Sequence, residues 1–292
     1  MNKSAYYDQL EPSGPWPAPA KLNLFLHITG RRADGMHDLQ TVFQFIDYSD
    51  ELILRHRADG QISRHQGPVG VPVEQDLCVR AAKILQQAFA IEHGVDIELN
   101  KCLPMGAGLG GGSSDAATVL VVLNRLWNIE LSVDELAILG LKLGADVPVF
   151  VRGMAAFAEG VGEKLTPVEL PEPWFLVLIP PVNVSTAKIF SDSELTRDSQ
   201  TIKICDLHAN KLGNDCESVV RKHYPLVADA IDWLAQYAPA RMTGTGGGIF
   251  ASFADHASAC RVQEKLPWGW QSFVAVARNR SPLYGALADQ GL

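Results

Sequence analysis

The segment Pro104, Met105, Gly106, Ala107, Gly108, Leu109, Gly110, Gly111, Gly112, Ser113, Ser114 sets five glycines within seven positions and runs on through Asp115 into the apolar stretch Ala116–Trp127. Glycine reaches backbone conformations closed to other residues and lets another group approach the main chain, so this is a backbone loop feeding a buried helix. A helix N-terminus offers unpaired N–H groups and a partial positive charge. The two features together make a cradle for a phosphate chain; a flexible loop without a ligand is the plainer alternative. Gly106-x-Gly108-x-x-Gly111 formally meets the dinucleotide pattern, yet the strand before it alternates Val95, Ile97 and Leu99 with Asp96, Glu98 and Asn100, and Pro104 intervenes. A central parallel strand would be continuously apolar, so that reading is rejected. Ser113 and Ser114 follow Gly112 with no lysine, so the loop is not a Walker A loop either, and a cation must come from a metal or from a distant side chain.

Elsewhere strand and helix patterns interleave. Leu22, Leu24, Leu26 and Ile28 alternate with Lys21, Asn23, Phe25 and His27, which predicts a strand with Lys21 and Asn23 on its polar face. After the turn at Arg32–Gly35, residues 39–46 and 51–55 are strand-like, and 76–90 has the spacing of an amphipathic helix closed by Gly94. Ser132 and Glu135 have the spacing of a capping box before a helix running to Gly144, with Asp146 just beyond it. Pro167, Pro171 and Pro173 mark the expected boundary between a domain of residues 1–165 and one of 166–292. Past it, 175–179, 249–253 and 273–276 read as strands and 217–221, 226–236 and 257–266 as helices, with a second glycine cluster at 244–248. The class is α+β or α/β.

Composition excludes several functions. The 25 Lys+Arg against 33 Asp+Glu leave a net charge of -8, and no basic run exceeds Arg31-Arg32, so a surface that wraps nucleic acid is not expected. Cys78, Cys102, Cys205, Cys216 and Cys260 are odd in number and far apart, which argues against a disulfide framework or zinc. The acids and prolines before Trp16 do not read as a signal peptide, and no apolar run approaches the ~18 residues of a membrane span. A cytoplasmic location without membrane contact follows as the expectation.

Three segments in order, Pro19-Ala-Lys-Leu-Asn-Leu-Phe-Leu26, Pro104–Ser114 and Thr243-Gly-Thr-Gly-Gly-Gly248, resemble the three motifs of the GHMP kinases. Arg32–His37, Gly144–Phe150 and Asn214–Glu217 are similar to those members of the family whose substrate is an alcohol carrying a cytidine diphosphate group. The resemblance implies a two-domain α+β GHMP kinase fold, with an N-terminal ATP-binding domain and a C-terminal ferredoxin-like domain. It also implies ATP as co-substrate, bound by residues 104–114, with Mg²⁺ held by ligands that the sequence leaves unknown. Lys21 and Asp146 would form the catalytic pair, Asp146 as general base, although alone each reads as a solvated strand lysine and a helix-end acid. Asn23 would contact the substrate and His37 would read the cytosine edge; Phe190, with Thr186 four residues before it, would stack on the base, core packing being the alternative for that ring. The family usually carries an aromatic residue where Met36 stands, so looser cytosine recognition is expected. Gly246, Gly247 and Gly248 give the third motif more flexibility than such a loop usually needs. Other GHMP substrates (homoserine, mevalonate, a sugar) and a non-catalytic nucleotide-binding regulator are the alternative readings, and the oligomeric state is open.

Overall fold

The computed structural model describes residues 13–207, 212–267 and 269–291. β1 (Ser13–Arg31) and β2 (His37–Arg57) form a long antiparallel pair closed by a tight turn in which Arg32 N–H donates to Met36 O and Gly35 takes φ +87°. Behind them come β3 (Ile62–Gln66), α1 (Leu77–Ala88), β4 (Gly94–Asn100), α2 (Gly111–Leu126), α3 (Val133–Leu141) and α4 (Val147–Arg152). Then follow β5 (Ala156–Glu159), β6 (Lys164–Pro167), β7 (Trp174–Ile179) and α5 (Thr186–Ser191). The chain ends with α6 (Glu217–His223), α7 (Pro225–Ala235), β8 (Arg241–Thr243), β9 (Gly248–Phe253), α8 (His256–Gln263), β10 (Gln271–Arg278) and α9 (Pro282–Asp289). This mixture is the expected α+β class.

Local chemistry accounts for several element ends. Asp76 caps α1 by accepting from Cys78 N–H and Val79 N–H, and Ser132 and Glu135 form the capping box of α3. By contrast α2 starts at Gly111, five residues before Ala116, and its N-cap Gly110 sits at φ +74° with no side-chain cap. Its first-turn N–H groups are therefore left for another acceptor.

The sheet runs in the order β3-β4-β2-β10-β7-β9-β8, with β1 and β5 also paired to β2. β10 joins the halves: Ala277 and Arg278 pair with Ile46 and Phe45 of β2, while Gln271–Val276 pair with β7. One core packs α1, α2 and α4 against β1, β2 and β4, and Leu283 and Leu287 of α9 are buried in it. A second core packs α6 and α7 against β7 and β9. Between them a third cluster, with Leu22, Leu109, Phe175, Val177, Phe250 and Ala275 among its members, lies under the glycine loop.

The expected polar face of β1 is not solvated. Lys21, Asn23 and Phe25 are 3%, 3% and 2% exposed, so the strand is covered on both sides. Register shifts against β2 occur between Pro19 and Ala20 and between Asn23 and Leu26, so bulges bracket the segment that carries Lys21 and Asn23 and re-aim it. Among the described residues no helix is long and apolar enough to cross a membrane. Leu120, fully buried in α2, should cost about 2–5 kcal/mol of stability when changed to Ala, whereas Ile138→Ala, at a site 64% exposed, should stay within about 0.5 kcal/mol; urea denaturation measures both.

Candidate active site

Lys21 is the charge around which the cleft is built. Its ammonium lies 3.3 Å from Asp146 Oδ2, donates to Gly108 O at 3.0 Å and to Asn23 Oδ1, and sits over the Phe43 ring at 5.3 Å from the centroid. A buried ammonium needs such partners, because desolvation without them is costly. Asn23 is fixed in turn: its side-chain amide donates to Thr41 Oγ1 at 3.0 Å, and its backbone N–H donates to Thr243 Oγ1 at 2.9 Å. Asp146 occupies the N-cap position of α4 but makes no capping bond, and about a third of its side chain is exposed to the cleft.

The second and third glycine motifs meet here backbone to backbone. A Cβ on Gly108 would stand 2.5 Å from Thr243 O, and one on Gly247 2.5 Å from Gly106 O. Gly246 and Gly247 have φ of +116° and +94°, so this run is required by conformation and close approach; the surplus flexibility expected from the sequence does not describe it. Asn214, in the Asn214–Glu217 segment, clamps the same loop by donating to Met242 O and Gly244 O. Lys21, Asp146, Gly108, Gly110 and Ser113 line a cleft of about 510 Å³, and a smaller space of about 290 Å³ follows residues 104–113.

The same cleft is lined by Asn23, beside Lys21, and by Met36, His37, Thr186, Phe190 and Thr245. Thr186 and Thr245 share a hydroxyl–hydroxyl hydrogen bond of 2.7 Å. His37 and Phe190 stack on each other, centroids 5.0 Å apart and planes at 22°. Every side chain singled out in the sequence for the catalytic or substrate site therefore borders one cavity. His37 is not a surface residue of the turn but is 8% exposed, and burial, then the charges of Arg197 and Arg31, push its imidazole below the ordinary histidine range. Thr41, Phe43 and Arg197 were not legible as site residues, having neither motif nor special spacing.

Lys101, at the end of β4, is paired with Asp50 at 2.5 Å and with Asp115 of α2 at 2.9 Å. Asp50 also accepts from the backbone N–H groups of Cys102 and Leu103, so a buried carboxylate holds the start of the glycine loop. Burial pushes the Asp115 carboxyl well above the usual range against the pull of Lys101.

Comparisons with known proteins agree on one family. Residues 76–154 match the family model for the GHMP kinases N terminal domain, and 201–268 match that for the GHMP kinases C terminal. A protein of Nitrosococcus oceani named 4-diphosphocytidyl-2-C-methyl-D-erythritol kinase is 58% identical over 277 residues, 94% of this chain and 99% of its own. One of the same name from Pseudomonas paraeruginosa is 58% identical over 271 residues, 93% of this chain and 96% of its own. A crystal structure titled 4-(cytidine 5'-diphospho)-2C-methyl-D-erythritol kinase superposes with a TM-score of 0.79 at 30% identity, covering 91% of this chain and 99% of the other. A mevalonate kinase of Methanococcus jannaschii, at 17% identity and TM-score 0.65 over 93% and 98% of the two chains, shares the fold.

Gly247→Ala should destabilise the protein by about 1–3 kcal/mol, from backbone strain and the clash with Gly106 O. Gly285→Ala in α9, with nothing within 4 Å, should be neutral or stabilising by up to about 1 kcal/mol. Denaturant midpoints of the two variants test the contrast.

Proposed function

This chain belongs to the GHMP kinase family, and on that premise we propose that it transfers the γ-phosphoryl group of ATP to the 2-hydroxyl of 4-diphosphocytidyl-2-C-methyl-D-erythritol, a step of non-mevalonate isoprenoid precursor synthesis in the cytoplasm. The observation that carries the reading is the Lys21–Asp146 pair at 3.3 Å, set in one cleft between a phosphate-cradling loop and the His37–Phe190 ring pair. The uncapped first turn of α2 and the loop 104–114 receive the triphosphate. The neighbouring recess of about 150 Å³, walled by Pro68, Val71, Leu77, Leu99 and Met105 beside Lys101, takes the adenine.

At the reacting end, the substrate hydroxyl lies against Asp146. The carboxylate accepts its proton as the oxygen attacks the γ-phosphorus, the bond to the β–γ bridging oxygen breaks, and ADP leaves. Lys21, pinned by Asn23 and Gly108 O, fixes Asp146 and supplies positive charge where the transferring group carries negative charge. Magnesium accompanies ATP and neutralises phosphate charge when bound. The residue that fits it is Ser114, whose hydroxyl is buried in the first turn of α2 without a hydrogen-bond partner. Among the described residues no group of three acidic, histidine or cysteine side chains is arranged to hold a metal.

The cytosine lies beside the imidazole and in its plane, so that the base also runs parallel to the Phe190 ring. Met36, 49% exposed, covers the opposite face with a thioether instead of a ring. Homoserine, mevalonate and sugars have no use for this ring pair.

A coupled assay of ADP release, run with ATP and magnesium, should show turnover with the cytidylyl substrate and none with homoserine, mevalonate or galactose; turnover with one of those three instead would refute the substrate. Asp146→Asn should lower kcat by about 10²–10⁴-fold and leave ATP affinity intact. Met36→Tyr should lower the substrate KM by roughly two- to tenfold, the about 0.5–1.5 kcal/mol of an added aromatic stack.

A further inference from the structure

Arg197, in the segment after α5, stands behind His37. Its Nε–H donates to His37 Nε2 at 3.2 Å, Nη1 donates to Leu195 O at 3.1 Å, and Nη2 donates to Phe190 O at 3.1 Å and Asp192 O at 2.6 Å. All its acceptors are neutral, and together they tie the C-terminal end of α5 to the first residue of β2. One side chain thus sets both members of the ring pair.

The chemistry of this contact is one-sided. A guanidinium has only donors, so Nε2 of His37 must present its lone pair and the ring proton must sit on Nδ1. Protonating the ring would put an N–H on Nε2 and break the bond. The charged groups that face the imidazole are Arg197 and Arg31 at the end of β1, both cationic and both opposed to an imidazolium. The acids nearby are engaged elsewhere, Asp38 with Arg32 and Asp192 with His223. No group among the described residues hydrogen-bonds Nδ1, and His37 lines the cleft, so the side chain offers a ligand one N–H donor and no acceptor.

This distinguishes the pyrimidines. Both bases accept at a carbonyl oxygen, but position 3 is a bare acceptor in cytosine and an N–H in uracil, so a sole donor aligned on position 3 is met by cytosine and opposed by uracil. We infer that Arg197 is a specificity-determining residue, which fixes His37 as a pure donor and so makes the cleft take cytidylyl in preference to uridylyl ligands. The inference rests on the cytidylyl reading above and adds to it a residue that touches no ligand.

The experiment has two parts. In the free protein, long-range ¹H–¹⁵N NMR of the His37 ring should find Nδ1 protonated and Nε2 bare, and in Arg197→Met the ring should relax to a mixture containing the Nε2–H form. At saturating ATP, CDP and UDP compete against the cytidylyl substrate; the ratio of their inhibition constants should favour CDP in the wild type and fall by roughly tenfold in Arg197→Met, the worth of one hydrogen bond. Arg197→Lys, which keeps a donor, should retain part of the preference. A wild-type ring protonated on Nε2, or an unchanged ratio in a folded Arg197→Met that still turns over the cytidylyl substrate, would overturn the inference. Absence of turnover with that substrate in the wild type would instead remove the reading beneath it, and the NMR result would stand apart from that outcome.

Discussion

Two backbone loops packed against each other set the geometry of this molecule's cleft. Between Gly108 and Thr243 O, and between Gly247 and Gly106 O, there is no room for a single Cβ, so the glycine loop of one half lies directly on the third-motif loop of the other. The contact fixes where Gly108 O lies, and that carbonyl accepts from Lys21. Thr243, on the opposing loop, accepts from the backbone of Asn23, which in turn accepts from Lys21. The surroundings of Lys21 are thus a short chain of hydrogen bonds that closes on one main-chain carbonyl, since the Thr243 hydroxyl also donates to Gly108 O at 3.4 Å. Main-chain atoms have few ways to rearrange, which is what the proposed catalytic pair requires.

The charged residues divide into two kinds. Surface pairs such as Arg221–Asp232 and Lys222–Glu194 are exposed and contribute little. Of the buried groups, Arg64 pairs with Asp76 at the start of α1, and two sets adjoin the glycine loop: Lys21 with Asp146 on one side, and Lys101 with Asp50 and Asp115 on the other. Buried ion pairs seldom stabilise a fold beyond what apolar residues would. The placement of these two sets is better accounted for by orientation, because each holds a part of the loop or of the first turn of α2 that has no side chain of its own to anchor it.

Features set by neighbours in sequence were legible before the structure. The Ser132–Glu135 capping box needs only a spacing of three, and β4 shows one wet face in its alternation. Features set by distant packing were not. β1 alternates too, but both faces are covered because the glycine loop, Phe43 and Asp146 close around Lys21, and no local pattern records that. Gly94 reads as the cap of α1, yet the helix stops at Ala88, Ala90 makes the left-handed turn, and Gly94 is glycine because Gln61 passes where a Cβ would be. Lys21, Asp146, Asn23, His37, Thr186 and Phe190 were found through motif resemblance, since an isolated lysine or aspartate carries no chemistry on its face. Arg197 has neither motif nor periodicity and became visible only when its four acceptors were.

The placement of β10 and α9 bears on how the chain reaches this state. Residues 271–278 fill the place between β2 and β7, and residues 282–289 supply Leu283 and Leu287 to the core of the first half. A ribosome delivers these segments after every strand and core that they complete. Until they emerge, Phe45 and Ile46 of β2 and one edge of β7 lack their β10 partners and the first core lacks part of its cover. The first half is thus completed by segments that follow the second, and until β10 arrives a strand edge, the usual site of misassociation, is left without its partner.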